Sequence, residues 1–168
     1  RGQAADYELW AQATGDERWR WGGSDSPGAT LAIYKELEDY FGGADEWHGA
    51  GGEIRVERPR VRWKILDAWQ AAAAEVGIAP IDEFNRGDNF GVGYFDVNQR
   101  SGWRWNAAKA FLRPTAMQRS NFTLWTKAQV ARLLFERGDD GALRCSGADV
   151  VRDGRRVVVR ARHEVVLC

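Results

Sequence analysis

Histidine and cysteine are scarce in this sequence, with two of each. His48 and His163 stand far apart, and neither falls in a metal-ligand spacing with Cys145 or Cys168, so no metal centre is expected. Two cysteines are also too few for a disulfide framework and fit a reducing compartment. Net charge is absent, because 24 basic residues balance 24 acidic ones. That balance argues against a nucleic-acid partner or an anionic membrane patch. No apolar run exceeds a few residues, so no transmembrane segment is expected, and no basic leader with an apolar core precedes Tyr7. The expected location is the cytoplasm, with or without association with the inner face of the membrane.

Catalytic motifs are missing too. Ser101, Ser120 and Ser146 lack the elbow context of a nucleophile. The glycines of "GDNFGVG" (87–93) lack the strand-then-helix setting that would hold a pyrophosphate, and read as a turn before a strand. Asp39, Asp45, Glu46, Glu53, Asp82 and Glu83 form no motif that marks an acid and a base, and "DEFNRGDN" (82–89) reads as a solvated loop. Taken by themselves, the residues contain no catalytic constellation.

Tryptophan and glycine are plentiful, at nine and nineteen. The tryptophans are expected mainly in packing. Tyr7, Leu9, Trp10 and Ala13 have helical spacing and are stopped by Gly15. Leu31, Tyr34, Leu37 and Phe41 make a second helix face ending at Gly42-Gly43, and Ile65, Trp69, Ala72, Ala73 and Val76 a third ending at Gly77. "WHGAGGEIRVERP" is a glycine loop feeding a short strand, and Tyr94 to Gln99 alternate like a strand. Asn106 is the expected N-cap of a helix from Ala107 to Leu112, ended by Pro114. "NFTLWT" and "QVARLLFE" are strand candidates, the second also readable as a helix turn, and a hairpin turns at Asp153-Gly154. Val165 to Leu167 read as a buried strand. The fold class is therefore α+β, helical first and then an antiparallel β-meander.

Four blocks carry a more specific likeness: "DYELWAQATGDERWRW", "YKELEDYFGGADEWHGAGGEIRVERPR", "DEFNRGDNFGVGYFDVNQRSGWRWNAAKAFLRP" and "NFTLWTKAQVARLLFE". In this order and spacing they resemble the middle of the glucose–methanol–choline (GMC) oxidoreductases, in particular the choline dehydrogenase-like branch. Arg1-Gly2-Gln3 looks like the finish of the family's first signature, with Gly2 and Glu8 at its last two defined positions. After a strand like "EVVLC" the family runs on to a second signature, so the resemblance implies an internal fragment of a two-domain FAD-binding fold.

That resemblance implies residues 1–50 as part of the FAD-binding domain and flavin cover, 51–115 as the start of the substrate-binding domain, and 116–168 as a truncated return into the FAD-binding domain. It implies FAD as cofactor, a small-molecule alcohol as substrate, and either oxygen or a quinone-linked carrier as electron acceptor. The catalytic histidine and its partner are expected downstream, leaving no catalytic residue in this chain. Carried over by position, Val130 in "TKAQVARLLF" meets the flavin adenine through its backbone. Glu53 stands where many relatives have proline, and Asn106 where many have serine. Residues 22–33 match nothing in the family and are either an insertion or a reading-frame error. The alternative is a stand-alone, non-catalytic module that binds a partner through a tryptophan-rich surface.

Overall fold

The computed structural model describes residues 1–22 and 30–168, so most of the unmatched stretch, residues 23–29, lies outside the described residues. The chain divides into two compact units, Arg1–Ser120 and Asn121–Cys168. Helices and antiparallel strands are both present, and the fold is α+β.

In the first unit, helix α1 (Ala4–Thr14) begins where the Asp6 carboxylate accepts the Gln3 N–H at 3.0 Å, and ends at Gly15 in the left-handed conformation. Tyr7 stacks on Trp21 and shares a 2.7 Å hydrogen bond with the Tyr34 hydroxyl, while Leu9 and Trp10 stay exposed. Helix α2 (Thr30–Leu37) stops short of the expected Phe41. Residues Glu38–Tyr40 instead form strand β1, paired in parallel with β2 (Ile54–Val56). Ladder bonds to a distant strand here override helical spacing. The loop between them packs onto α2 because it carries glycine at the contacts: a Cβ on Gly49 would lie 1.7 Å from the Lys35 carbonyl oxygen.

Helix α3 (Lys64–Glu75) ends in a Schellman motif, with Gly77 at φ +90° and bonds from Gly77 N to Ala74 O and from Ile78 N to Ala73 O. Its apolar residues Ile65, Leu66 and Trp69 are exposed, as is Val76 just after it. The strand expected over 94–99 does not form. Val97 makes a single bridge to Glu57, Val92 another to Pro80, and only Gln99–Arg100 (β3) pairs with Trp103–Arg104 (β4). Asn106 does cap the next element, accepting the Lys109 N–H, but that element is a π-helical turn over Ala108–Leu112. The buried residues described in this unit are few and include charged ones: Ala11, Trp21, Leu31, Tyr40, Gly49 and Ala110 with Thr30, Glu38 and His48. Packing is thus the role of Trp21, whereas Trp10, Trp63, Trp69 and Trp103 are mostly exposed.

The second unit is a three-stranded antiparallel meander, β5 (Ala128–Arg137), β6 (Leu143–Arg152) and β7 (Arg155–Arg160), in that spatial order. Asp153 (φ 50°) and Gly154 (φ 74°) make the expected two-residue turn between β6 and β7. Neither "NFTLWT" nor the last residues form a strand. Val166 and Leu167 are 70% and 73% exposed, correcting the expectation of a buried strand there. The segment has β-branched residues but no partner strand among the described residues.

Candidate functional site

The first unit contains a buried file of charges. His48 sits in the glycine loop just after β1 and is fully buried, its ring stacked on Tyr40 with centroids 3.8 Å apart. Its Nδ1 lies 2.8 Å from Glu38 Oε2 and its Nε2 2.6 Å from Glu83 Oε1. Glu38 Oε2 also accepts the Gly49 N–H at 3.1 Å and the Arg1 guanidinium at 2.5 Å. Glu83 Oε2 accepts from Arg86 Nε at 3.0 Å, and Arg86 reaches Asp45 at 3.4 Å. Asp45 closes the turn by accepting the main-chain N–H groups of Trp47 and His48.

Electrostatics follow from these contacts. Burial pushes the His48 pKa down, but the hydrogen bonds and charges of Glu38 and Glu83 outweigh it and raise it above the ordinary imidazole value. Burial disfavours the Glu38 carboxylate, yet the His48 hydrogen bond, the Arg1 charge and the Gly49 N–H hold its pKa below the usual range. Burial, together with the Glu83 charge, raises the Asp96 carboxyl, which accepts from the Tyr40 hydroxyl at 3.2 Å. Burial, aided by the Tyr7 hydroxyl, pushes the Tyr34 phenol up to about 12.

A cavity of about 580 Å³ adjoins this file. Arg1, Glu38, Asn85, Asn89, Asp96 and Asn98 give it a polar side, while Leu37, Ile54, Phe84 and Phe95 give it an apolar one. The Arg1 main-chain nitrogen donates to Asn85 Oδ1 (3.0 Å), and Asn89 Nδ2 donates to the Arg1 carbonyl (3.2 Å). Asn89 Oδ1 is buried without a partner among the described residues. Mixed walls of this kind suit a small organic ligand.

The expectation of a solvated loop over 82–89 is thereby corrected: the Glu83 side chain is only 7% exposed and its partner is His48. Nothing local marks it, because Glu38, His48 and Glu83 come from three segments that only the fold brings together. The glycines of 87–93 have a structural use, with Gly87 O accepting from Ala4 N at 3.1 Å. Among the described residues no cluster of histidine, cysteine, aspartate and glutamate is placed to hold a metal, and both cysteines are free thiols. Val130, the position carried over by resemblance, lies in β5 opposite Val150 and is 54% exposed. Among the described residues β5 is at the edge of its sheet, with a register shift just after Val130. An edge strand leaves main-chain donors and acceptors unpaired on its open side. Those are groups of the kind that a nucleobase edge needs.

The comparisons agree with this architecture. The family model for GMC oxidoreductase matches residues 1–168, and the chain belongs to that family. It is 30% identical to an oxygen-dependent choline dehydrogenase from Sinorhizobium fredii over 99% of its own length and 28% of the relative. It is 33% identical to a pyridoxine 4-oxidase from Microbacterium luteolum over 89% of its length and 28% of that protein. The crystal structure of pyridoxine 4-oxidase from Mesorbium loti superposes with a TM-score of 0.78 at 29% identity, covering 95% of this chain and 30% of that one. The chain therefore spans less than a third of the length of these relatives.

Proposed function

We propose that this chain is part of an FAD-dependent oxidoreductase acting on the CH–OH group of a small-molecule alcohol. The observation that carries the proposal is the family match along all 168 residues. Bound flavin would supply the two-electron chemistry, taking up a hydride from the carbinol carbon. Val130 would offer main-chain groups to the adenine, and residues 116–168 would form part of the FAD-binding domain. Residues 1–50 would contribute to the flavin cover, and residues 51–115 to the start of the substrate-binding domain. The Glu38–His48–Glu83 file would hold the loops that wall the cavity. No catalytic residue is assigned to this chain; the base that takes the hydroxyl proton would lie outside it. Choline and pyridoxine, named for the relatives, are the first alcohols to try. We also propose a cytoplasmic location, with or without association with the inner face of the membrane, testable by cell fractionation.

The test is the visible spectrum of the purified protein that carries this chain, followed under anaerobic conditions as alcohols are added. A flavin band that bleaches with at least one alcohol is expected. A protein without flavin, or one whose flavin stays oxidised with every alcohol, overturns the proposal.

A further inference from the structure

Both nitrogens of a fully buried imidazole face carboxylate oxygens, at 2.8 Å on the Glu38 side and 2.6 Å on the Glu83 side. A neutral ring has one N–H and can donate to only one of them. Its other nitrogen would then direct a lone pair at an anionic oxygen with no water between. With both carboxylates ionised, the geometry requires two protons on the ring.

The surrounding charges support the same state. Arg1, Glu38, His48, Glu83, Arg86 and Asp45 are linked in that order, each within 3.4 Å of the next or hydrogen-bonded to its main chain. Their signs alternate only if His48 is a cation. With a neutral ring, Glu38 and Glu83 become neighbouring anions across it. Tyr40, from β1, stacks on the ring with planes 18° apart, which favours a cation over its π face. Asp96 also faces this group through Tyr40, and its own raised pKa reflects burial and the charge of Glu83, with Arg58 acting the other way. Lys35, from α2, donates to the carbonyls of Asp45 and Glu46 and braces the loop that carries His48.

We propose that Glu38–His48–Glu83 is a proton-operated latch: the doubly protonated ring ties the 81–89 segment to β1 and keeps the cavity wall in place, and loss of one ring proton at alkaline pH frees that segment. Phe84, Asn85 and Asn89, which line the cavity, lie on the segment that would be released. The proton leaves to solvent, and the neutral ring keeps one hydrogen bond. A histidine whose pKa is raised on folding stabilises fully below its ordinary value, and that stabilisation is lost as pH rises through the raised value. The latch is therefore closed on the acid side of the raised value and opens above it. The latch uses only side chains of this chain and is independent of the proposed reaction.

The test is amide hydrogen exchange of residues 81–89 in the protein that carries this chain, cofactor-free, over a pH series from 6 to about 10. Rates are normalised to those of an unstructured peptide. The opening equilibrium of this segment should rise by up to about tenfold per pH unit between the ordinary and the raised His48 pKa and level off above the raised value, with no matching rise in β5 to β7. In Glu83→Gln the amide donates to the neutral ring, so the rise should vanish. A parent profile flat with pH overturns the latch, and so does a Glu83→Gln profile that rises as the parent's does. If Glu83→Gln does not fold, the ¹⁵N shifts of the His48 ring in the parent decide. They must show two protonated nitrogens at neutral pH and the loss of one over the pH range in which the segment opens. A singly protonated ring at neutral pH refutes the proposal.

Discussion

Gly49→Ala tests the packing on which the buried charges depend. The added Cβ would lie 1.7 Å from the Lys35 carbonyl oxygen and 2.5 Å from its carbonyl carbon, both main-chain atoms near the end of α2. An ordinary carbon–oxygen contact is about 3.3 Å, so helix and loop must part by roughly 1.5 Å. Overpacking of this kind costs about 1–3 kcal/mol. The same movement pulls the Gly49 N–H from Glu38, now 3.1 Å away, and a hydrogen bond to a charged group is worth about 1.5–3 kcal/mol. Together these give a loss of about 2.5–6 kcal/mol. Gly51→Ala is the control, since its Cβ would meet nothing within 4 Å, and only its positive φ of 82° opposes the substitution. That conformation costs an ordinary residue about 1–2 kcal/mol. Urea unfolding followed by tryptophan fluorescence should therefore place Gly49→Ala well below Gly51→Ala. Equal midpoints for the two variants would mean that the loop does not lie against α2 as described.

Three further outcomes are expected. In the protein that carries this chain, Val130→Ile should leave flavin content near normal and Val130→Trp should lower it, with circular dichroism unchanged; a folded Val130→Trp with full flavin would remove the adenine assignment. At the β6–β7 turn, Asp153→Asn should be nearly neutral, whereas Asp153→Val at φ 50° should cost about 1–2 kcal/mol by denaturant titration, since a β-branched residue resists that region. Glu38 has a lowered pKa, so its stabilisation is present above the ordinary glutamate value and is lost as pH falls through the lower folded value. Thermal midpoints should accordingly drop on the acid side, and Glu38→Gln should flatten that limb while lowering the midpoint at neutral pH.

Elements governed by contacts within a few residues were legible from the sequence. Gly15 and Gly77 stop their helices because a left-handed residue there lets the next N–H groups satisfy the last carbonyls. Asp153-Gly154 turns the chain because both positions need positive φ, and Asn106 caps the turn after it with its own side chain. The family was legible as well, because its blocks recur in order from Asp6 to Glu136. Partnership between distant segments was decided only by the tertiary structure. Phe41 has helical spacing, yet the chain leaves the helix at Glu38 to pair with Ile54–Val56. Residues 94–99, 121–126 and 165–167 have strand-like composition but no full ladder, because a strand is a property of two segments and local pattern describes one. The same holds for the candidate site. Glu38, His48 and Glu83 carry no motif at spacings of 10 and 35 residues, and each is an ordinary surface residue until folding removes water from all three. Burial then makes their charges interdependent, and that dependence is what joins a helix end, a glycine loop and the wall of a cavity.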